Sequence, residues 1–394
     1  MNRHKVILKS GKDKSILRLH PWIFSGAIKK IIGDPQEGDI VDLYDNKDVF
    51  LAYGHYQKSS IALRVLSFDK NEDLNNFWIN RISAAWKLRT DIGLANSEQT
   101  NVFRWINAEG DGLPGLIVDF YNGTAVIQIH SVGMYKSLAE ISEGLQTVAG
   151  EKLQCIYDKS ASTIPFKAEL KTENQLIFGK PPTNTVLEYG NSFEIDWVNG
   201  QKTGFFIDQR ENRKLLGEYA KGRSVLNMFG YTGGFSVSAM RGGAKLVHSV
   251  DSSRTATKLT DSNIELNFPG TKIHESFAVD AFKFFDNPPA KYDLIILDPP
   301  AFAKHQNVLG NALQGYKKIN KRAFEIIEPG GVLFTFSCSQ VVSRENFRKS
   351  VFAAAANTGR KVQILNQLSQ PADHPVSIYH PEGEYLKGLI LKVD

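Results

Sequence analysis

VLNMFGYTGGFSVSAMRGGAKLVHSVD, residues 225–251, is the stretch whose reading decides the fold. Its opening apolar run, residues 225–229, predicts a buried parallel strand. Gly230-Tyr231-Thr232-Gly233-Gly234 then puts glycines where a backbone must turn tightly and come close to a ligand. Residues 235–240 predict a helix that Gly242-Gly243 stops. Residues 246–250 predict a second strand, with Asp251 at its carboxyl end. Strand, glycine loop, helix, strand and acid form the unit by which open α/β sheets hold a nucleoside at the carboxyl edge.

The glycine spacing is not GxGxxG, which disfavours a dinucleotide pyrophosphate site. A looser loop with an acid about twenty residues on suits a ligand with a ribose and no phosphates, and S-adenosylmethionine is such a ligand. Phe229, Gly230, Thr232 and Gly233 are then candidate cofactor contacts, and Asp251 accepts from the ribose hydroxyls. The competing reading is a structural turn with a solvent-facing Asp251.

Working outward, strand and helix patterns alternate over the C-terminal half. Residues 292–297 predict a buried strand ending in Asp298-Pro299-Pro300, and residues 332–336 another ending in Ser337-Cys338-Ser339. Helices are expected over 311–327 and 344–356, and late strands over 362–368 and 385–393. This predicts a doubly wound, mostly parallel, seven-stranded sheet. Gly230, Asp251, Asp280, Asp298 and Cys338 all fall at strand carboxyl ends, which share one crevice in such a sheet. Asp280 either reaches an adenine amino group, with Phe282 or Phe229 beside the ring, or caps a helix. The rigid Asp298-Pro299-Pro300 loop either holds a planar base or simply ends a strand. Cys338 is either a buried inert thiol or a thiolate able to add to carbon 6 of a pyrimidine. Asp208 and Arg210, in QKTGFFIDQRENR (201–213), could meet the ammonium and carboxylate of a methionine tail or form a surface pair. Tyr316, Lys317, Lys318, Lys321 and Arg322, on the helix after the Asp298 loop, are candidates for holding RNA phosphates.

Length, at 394 residues, allows two or three domains. Cys155 and Cys338 are the only cysteines, with neither a zinc spacing nor a disulfide framework. No metal is therefore expected, and a reducing cytoplasm is. No long apolar run suggests a membrane span. The net charge of +5 is uneven: eight cations and Asp13 make residues 1–30 +7, leaving −2 for the rest (5 minus 7). A basic segment on a near-neutral body points to a polyanion partner, against the alternative of a solvated basic face.

Residues 1–72 alternate short β patterns with turns, which predicts a small β-barrel. Within it Arg18 and His20 are candidate phosphate contacts, while Trp22 and Phe24 are expected to fill the barrel. Residues 73–190 read as a small α+β domain: a helix over 74–94, a Gly/Pro turn in EGDGLPGLIVD (109–119), a helix over 132–148, and Cys155 as an apolar filler. A hairpin is expected around Gly190-Asn191, and residues 191–394 carry the doubly wound sheet.

QKTGFFIDQRENR, NMFGYTGGFSVSAMRGGA, LDPPAFAK, FSCS, EGDGLPGLIVD and the terminal DHPV…PEGEYLKGLIL together resemble the RlmI-type methyltransferases. The resemblance covers nearly the whole chain. It implies a Rossmann-like class I methyltransferase domain preceded by a PUA-like RNA-binding barrel and a central α+β domain. It further implies S-adenosylmethionine as cofactor, large-subunit (23S) ribosomal RNA as partner, and 5-methylcytosine as product. By the same resemblance Cys338 is the nucleophile, Asp298 orients the base, and the Gly230 loop, Asp251 and Asp280 hold the cofactor. Many other 5-methylcytosine RNA enzymes carry a second cysteine after the first proline of the Asp-Pro-Pro loop. Pro300 stands there, so the base removing the carbon-5 proton is either water or Asp298. Methylation of a base nitrogen, or a non-catalytic RNA-binding assembly factor, are the alternatives. The sequence leaves a homodimer open.

Overall fold

The computed structural model describes residues 3–165, 172–303 and 305–394. Residues 166–171 of the expected central domain, and Lys304 at the end of LDPPAFAK, lie outside them. Contacts divide the chain into two compact units, described in turn. The first comprises residues 1–186, 195–205 and 372–383; the second comprises 187–194, 206–371 and 384–394.

The first unit begins with β1 (Lys5–Leu8), β2 (Trp22–Phe24), β3 (Ile28–Ile32), β4 (Ile40–Tyr44), β5 (Phe50–Tyr56) and β6 (Ile61–Ser67). They form one six-stranded sheet in the order β2-β6-β5-β4-β1-β3. Alternating apolar residues place Val6, Leu8, Ile23, Val41, Leu43, Leu63 and Val65 in a common core. The same alternation corrects the expectation for Trp22 and Phe24. Ile23 is the residue of β2 that points inward, so its neighbours point away, and Phe24 is 50% exposed. Trp22 instead donates its indole N–H to Glu109 Oε1 at 2.8 Å.

Next come α1 (Phe77–Asp91), β7 (Val102–Asn107), β8 (Leu116–Tyr121), β9 (Thr124–Ile129), α2 (Val132–Lys136), α3 (Leu138–Ala149), β10 (Cys155–Asp158) and β11 (Gln175–Gly179). The strands form a sheet in the order β11-β10-β9-β8-β7, with Cys155 buried in β10. The single helix expected over 132–148 is two, broken where Ser137 leaves helical geometry at ψ 14°. Buried charge ties the late segment 372–383 to this unit. The Arg89 guanidinium clamps Asp111 at 2.6 and 2.8 Å and reaches the Asp373 carbonyl at 2.6 Å. Asp373 in turn accepts from the Arg104 amide at 2.9 Å.

A hairpin of β12 (Thr185–Glu188) and β13 (Asn191–Glu194) follows, turning through Tyr189 and Gly190, both at positive φ as tight hairpins require. The remaining elements are α4 (Arg210–Tyr219), β14 (Ser224–Met228), α5 (Gly234–Arg241), β15 (Leu246–Asp251), α6 (Arg254–Asn267), β16 (His274–Ala278), α7 (Ala281–Asp286), β17 (Tyr292–Leu297), α8 (Leu309–Ile326), β18 (Ile327–Ser337), α9 (Arg344–Thr358), β19 (Val362–Ser369) and β20 (Lys387–Val393). Their seven-stranded sheet runs β16-β15-β14-β17-β18-β20-β19. β14 to β18 are mutually parallel, and β20 is antiparallel to both neighbours. The central strand β17 is covered on both faces: Tyr292, Leu294, Ile295, Ile296 and Leu297 are all fully buried. At about 1.5–3 kcal/mol per buried apolar side chain, these five side chains anchor the middle of the sheet. Strand order reverses between β14 and β17, and ligands enter such folds outside the carboxyl ends at that reversal.

Candidate active site

The loop leaving β14 is held by its own backbone. Gly230 donates to the Val250 carbonyl at 2.9 Å and Gly233 to the Gly230 carbonyl at 2.8 Å. From α6, Thr260 and Asn263 donate to the carbonyls of Tyr231 and Thr232 at 2.8 and 2.9 Å. Phe229 and Tyr231 hold positive φ (61° and 46°) although neither is glycine. A left-handed L-residue costs about 1–2 kcal/mol, and such strain collects at ligand clamps. Gly233 is at φ 80°, and a Cβ there would lie 2.7 Å from Thr260 Cγ2. Asp251 is half-buried, not solvent-facing: one oxygen accepts from the Tyr231 amide at 3.0 Å and the other from Ser253 at 2.9 Å. Each carboxylate oxygen keeps a second lone pair for a ribose hydroxyl.

Asp280 is exposed and caps α7, Oδ1 accepting from Phe282 and Lys283 at 2.9 and 3.2 Å. The helix-cap reading is thus the one formed, and it uses a single oxygen. Beneath the loop runs a polar chain that sequence reading missed. Asn227 donates to Ser236 at 2.9 Å, Ser236 meets Ser249 at 2.7 Å, and Ser249 meets His274 at 2.8 Å. Burial pushes His274 down to about 4, so its ring is neutral. These residues alternate with apolar ones inside strands and a helix, where no local pattern marks them.

The loops after β17 and β18 bring Asp298 and Cys338 together. Asp298 is pushed up to about 7, first by burial and then by the charge of Asp208, while Gln209 and Arg213 pull it back. A carboxyl so placed exists in both forms near neutrality. Cys338 is half-buried, with Sγ 4.0 Å from the Pro299 carbonyl. Burial, then the charges of Asp298 and Asp208, push its thiol up to about 12. The thiol is therefore protonated at rest. Asp208 accepts from the Tyr385 hydroxyl at 2.7 Å, while its other oxygen is buried without a hydrogen-bond partner. Arg210 is not at the surface, where the expected alternative of an Asp–Arg pair placed it. It is 1% exposed and meets Glu211 at 3.2 Å. Arg213, which the sequence reading passed over, clamps the buried Glu188 at 2.7 and 2.5 Å.

The Cys338 loop is braced from beneath. Ser337 donates to the Tyr316 hydroxyl at 2.9 Å, Ser339 to the Ala303 carbonyl at 2.7 Å, and Lys387 to the carbonyls of Ser339 and Val342 at 2.5 and 2.6 Å. Tyr316 is thus a fully buried brace and not a phosphate contact. The cations of α8 are also largely engaged. Lys318 lies over the Phe282 ring at 4.4 Å, Lys321 meets Glu325 at 3.4 Å, and Arg322 pairs with Glu325 and Asp286. Lys317 is half-buried. At positions i, i+1, i+4 and i+5 the four share one face of α8, much of whose charge is already paired within the unit.

In the first unit Arg18 is exposed, as a phosphate contact must be, beside Leu17 and Leu19 at 64% and 39% exposure. His20 is not so presented. Its side chain packs edge-on against Trp22 and His380, and its Nε2 faces Glu382 at 3.5 Å. His20, His380 and Glu382 thus converge, a grouping reminiscent of metal ligands. The Trp22 amide donates to His20 Nδ1 at 3.2 Å, which leaves the ring proton on Nε2. His20 therefore faces Glu382 as a donor and offers no lone pair to an ion.

Comparison with known proteins bears on this edge. A family model described as S-adenosylmethionine-dependent methyltransferase matches residues 170–380, and a PUA-like domain model matches residues 6–68. The chain is 41% identical over 396 residues to the ribosomal RNA large subunit methyltransferase I of Aeromonas hydrophila subsp. hydrophila, covering 98% of each. The chain belongs to the S-adenosylmethionine-dependent methyltransferase family. The protein of the same name from Erwinia tasmaniensis is 38% identical, covering 99% of each chain. Among solved structures, a putative methyltransferase complexed with SAH superimposes with a TM-score of 0.85 at 25% identity over 100% of both chains. A putative SAM-dependent methyltransferase from Streptococcus mutans gives 0.84 at 24% identity, also over 100% of both.

The residues of this methyltransferase fit S-adenosylmethionine. The strained, close-approach loop at 229–233 suits a ligand lying against backbone, and Asp251 suits a ribose. The orphaned buried oxygen of Asp208 calls for a cation or donor, such as the ammonium of a methionine tail. No helix among the described residues is long and apolar enough to cross a membrane.

Proposed function

We propose that this methyltransferase forms 5-methylcytosine in large-subunit ribosomal RNA through a covalent adduct with Cys338. The observation that carries this reading is a cysteine at the carboxyl end of β18 whose sulfur lies 4.0 Å from the Pro299 carbonyl, in the loop that carries Asp298 at the end of β17. Methylation of an amino nitrogen needs no thiol at that place. The ribosomal substrate is supported by relatives named for it, matched along nearly their whole length. Residues 1–72, with exposed Arg18, would engage the RNA; residues 73–190 would link; residues 191–394, with the Phe229–Gly233 loop, Asp251, Asp280, Asp208 and Arg210, would hold the cofactor.

S-adenosylmethionine, when bound, supplies an electrophilic methyl group. Asp298, ionised in part near neutrality, accepts the Cys338 thiol proton and delivers it to cytosine N3. The Sγ–C6 bond forms as the 5,6 double bond opens, so electron density reaches carbon 5 and makes it nucleophilic. After transfer, the carbon-5 proton passes to water or to Asp298, the 5,6 double bond re-forms and the Sγ–C6 bond breaks. The N3 proton returns by Asp298 to the thiolate, and one proton is released overall.

RNA carrying 5-fluorocytidine tests this, because fluorine cannot leave as a proton does. With S-adenosylmethionine and the enzyme, a protein–RNA band resistant to denaturation should form, and Cys338→Ala should abolish both the band and methyl transfer while leaving cofactor binding intact. Transfer to ordinary RNA without any trapped band would move the target to a base nitrogen. Full activity in Cys338→Ala would refute the covalent route.

A further inference from the structure

Lys387 opens β20, opposite Ser337 of β18 and Ser369 of β19. It is 5% exposed. Lysine is rarely this buried unless paired, yet among the described residues no carboxylate lies within ion-pair distance of its ammonium. Its two short hydrogen bonds go to the carbonyls of Ser339 and Val342, at 2.5 and 2.6 Å. Those carbonyls bracket the turn that begins at Cys338. The Val342 side chain is itself fully buried in the core of the unit, and its amide closes the turn on Ser339 at 3.3 Å. Ser339 is further bonded to Ala303, in the loop that also carries Asp298. A single buried cation therefore fastens the strand end that presents the thiol.

A neutral donor could make the same two bonds without the desolvation cost of a charge, which reaches several kcal/mol in a protein interior. A cation at this place is explained by a negative charge that appears beside it. The candidate is the thiolate of Cys338. Around Lys387, the groups that act on it are Cys338, Arg344 and Glu384. Arg344 and Glu384 meet each other at 3.5 Å and are both exposed, so water screens them.

We propose that Lys387 is a positioning residue for the Cys338 nucleophile: its buried ammonium pins the 338–342 turn and stabilises the thiolate that forms there. The inference rests on the covalent reading above and adds to it the group that holds the thiolate. When the Sγ–H bond breaks and its proton moves to Asp298, the negative charge left on sulfur falls one residue before the Ser339 carbonyl that the ammonium holds, and no further co-reactant is needed. Burial pushes Lys387 down to about 8, so it is mostly charged at neutral pH and loses that charge above. In accord with the geometry, Lys387 draws the Cys338 thiol downward against the two carboxylates.

The test is alkylation of Cys338 by iodoacetamide, followed by mass spectrometry from pH 7 to 10 on the full chain in a Cys155→Ala background. Lys387→Met should slow alkylation about tenfold at pH 7, the equivalent of one pH unit in thiolate fraction, and the difference should fade above pH 8 as the parent's Lys387 loses its charge. Methyl transfer should fall in kcat, with cofactor affinity measured by calorimetry unchanged. Lys387→Arg should restore most of the alkylation rate, since it returns the charge. If Lys387→Met no longer binds cofactor, Lys387→Gln, which keeps a donor without the charge, decides by the same profile. An unchanged alkylation profile in the cofactor-binding variant would overturn the proposal. Alkylation does not depend on methyl transfer, so methyl transfer by Cys338→Ala would refute the covalent reading separately.

Discussion

Replacing Asp298 by Asn should stabilise the second unit at alkaline pH while removing activity. The Asp298 carboxyl is pushed from its ordinary 3.8 to about 7 by burial and by Asp208. Between those two values the native state holds a proton that the unfolded chain has lost, so stability falls as pH rises. At 1.36 kcal/mol per pH unit, a span of about 3 units gives a ceiling of about 4 kcal/mol, and about 2 kcal/mol if water relaxes into the loop. Below pH 4 both states are protonated and the effect vanishes. Asn has the same shape and carries no charge. The advantage of Asp298→Asn over the parent should therefore be near zero at pH 4, grow at up to about 1.4 kcal/mol per unit, and level off above pH 7. Tryptophan fluorescence is the wrong probe, because Trp22, Trp78, Trp86, Trp105 and Trp197 all belong to the first unit. Hydrogen exchange of peptides spanning β17 and β18, corrected for intrinsic rates, reads the second unit directly. Methyl transfer, which needs the proton carrier, should drop by about 10²–10⁴. A stability difference that is flat from pH 4 to 8, or an Asn variant less stable at pH 8, would refute the account of Asp298.

Two further perturbations follow from the packing of the cofactor edge. Gly233→Ala combines a left-handed backbone, about 1–2 kcal/mol, with a methyl 2.7 Å from Thr260 Cγ2, and should weaken S-adenosylmethionine binding at least about tenfold; unchanged affinity in calorimetry would show that the loop relaxes freely. Arg213→Met strands the buried Glu188 carboxylate, which should cost about 3–5 kcal/mol in urea melts followed by far-ultraviolet circular dichroism, and adding Glu188→Met should recover most of the loss. Failure of the second change to rescue would mean that Arg213 acts through its bond to the Phe206 carbonyl at 2.8 Å and not through the pair.

The parallel core of the second unit was legible because β14, β15 and β17 are buried on both faces and so read as short, mostly apolar runs despite Asn227, His248, Ser249 and Asp293 within them. The strand-end residues were legible for the same reason, since an acid or thiol that closes such a run breaks its pattern. Lys387, Arg213 and Asn227 were not, because each lies among ordinary neighbours and acquires its role from a partner far along the chain: Ser339, Glu188 and, more locally, Ser236. Phe24 and His20 were misjudged from the other side. Composition favours aromatic rings inside a small barrel, but the period of two in β2 sends Ile23 inward, and His20 is claimed by Glu382 and His380, more than 350 positions away. Tyr316 was grouped with its basic neighbours by sequence, although the 3.6-residue period of α8 turns it inward and they outward.

On the proposed reaction, the resting state of Cys338 also makes chemical sense. The site must place a nucleophilic sulfur near an electrophilic methyl group without letting the two react. A thiol pushed up to about 12 is almost wholly protonated at neutral pH, and the protonated form is the unreactive one. Burial keeps it so first, and the negative charges of Asp298 and Asp208 add to it by making loss of a proton near them unfavourable. Asp298, ionised in part near neutrality, takes that proton, and the ring nitrogen of a bound cytosine is the acceptor to which it passes it on. Lys387 then offsets the charge that the two carboxylates oppose. The order of events follows from the charges: the thiolate appears with the base in place and not before, so a substrate that offers no proton acceptor at the position of N3 leaves the thiol intact.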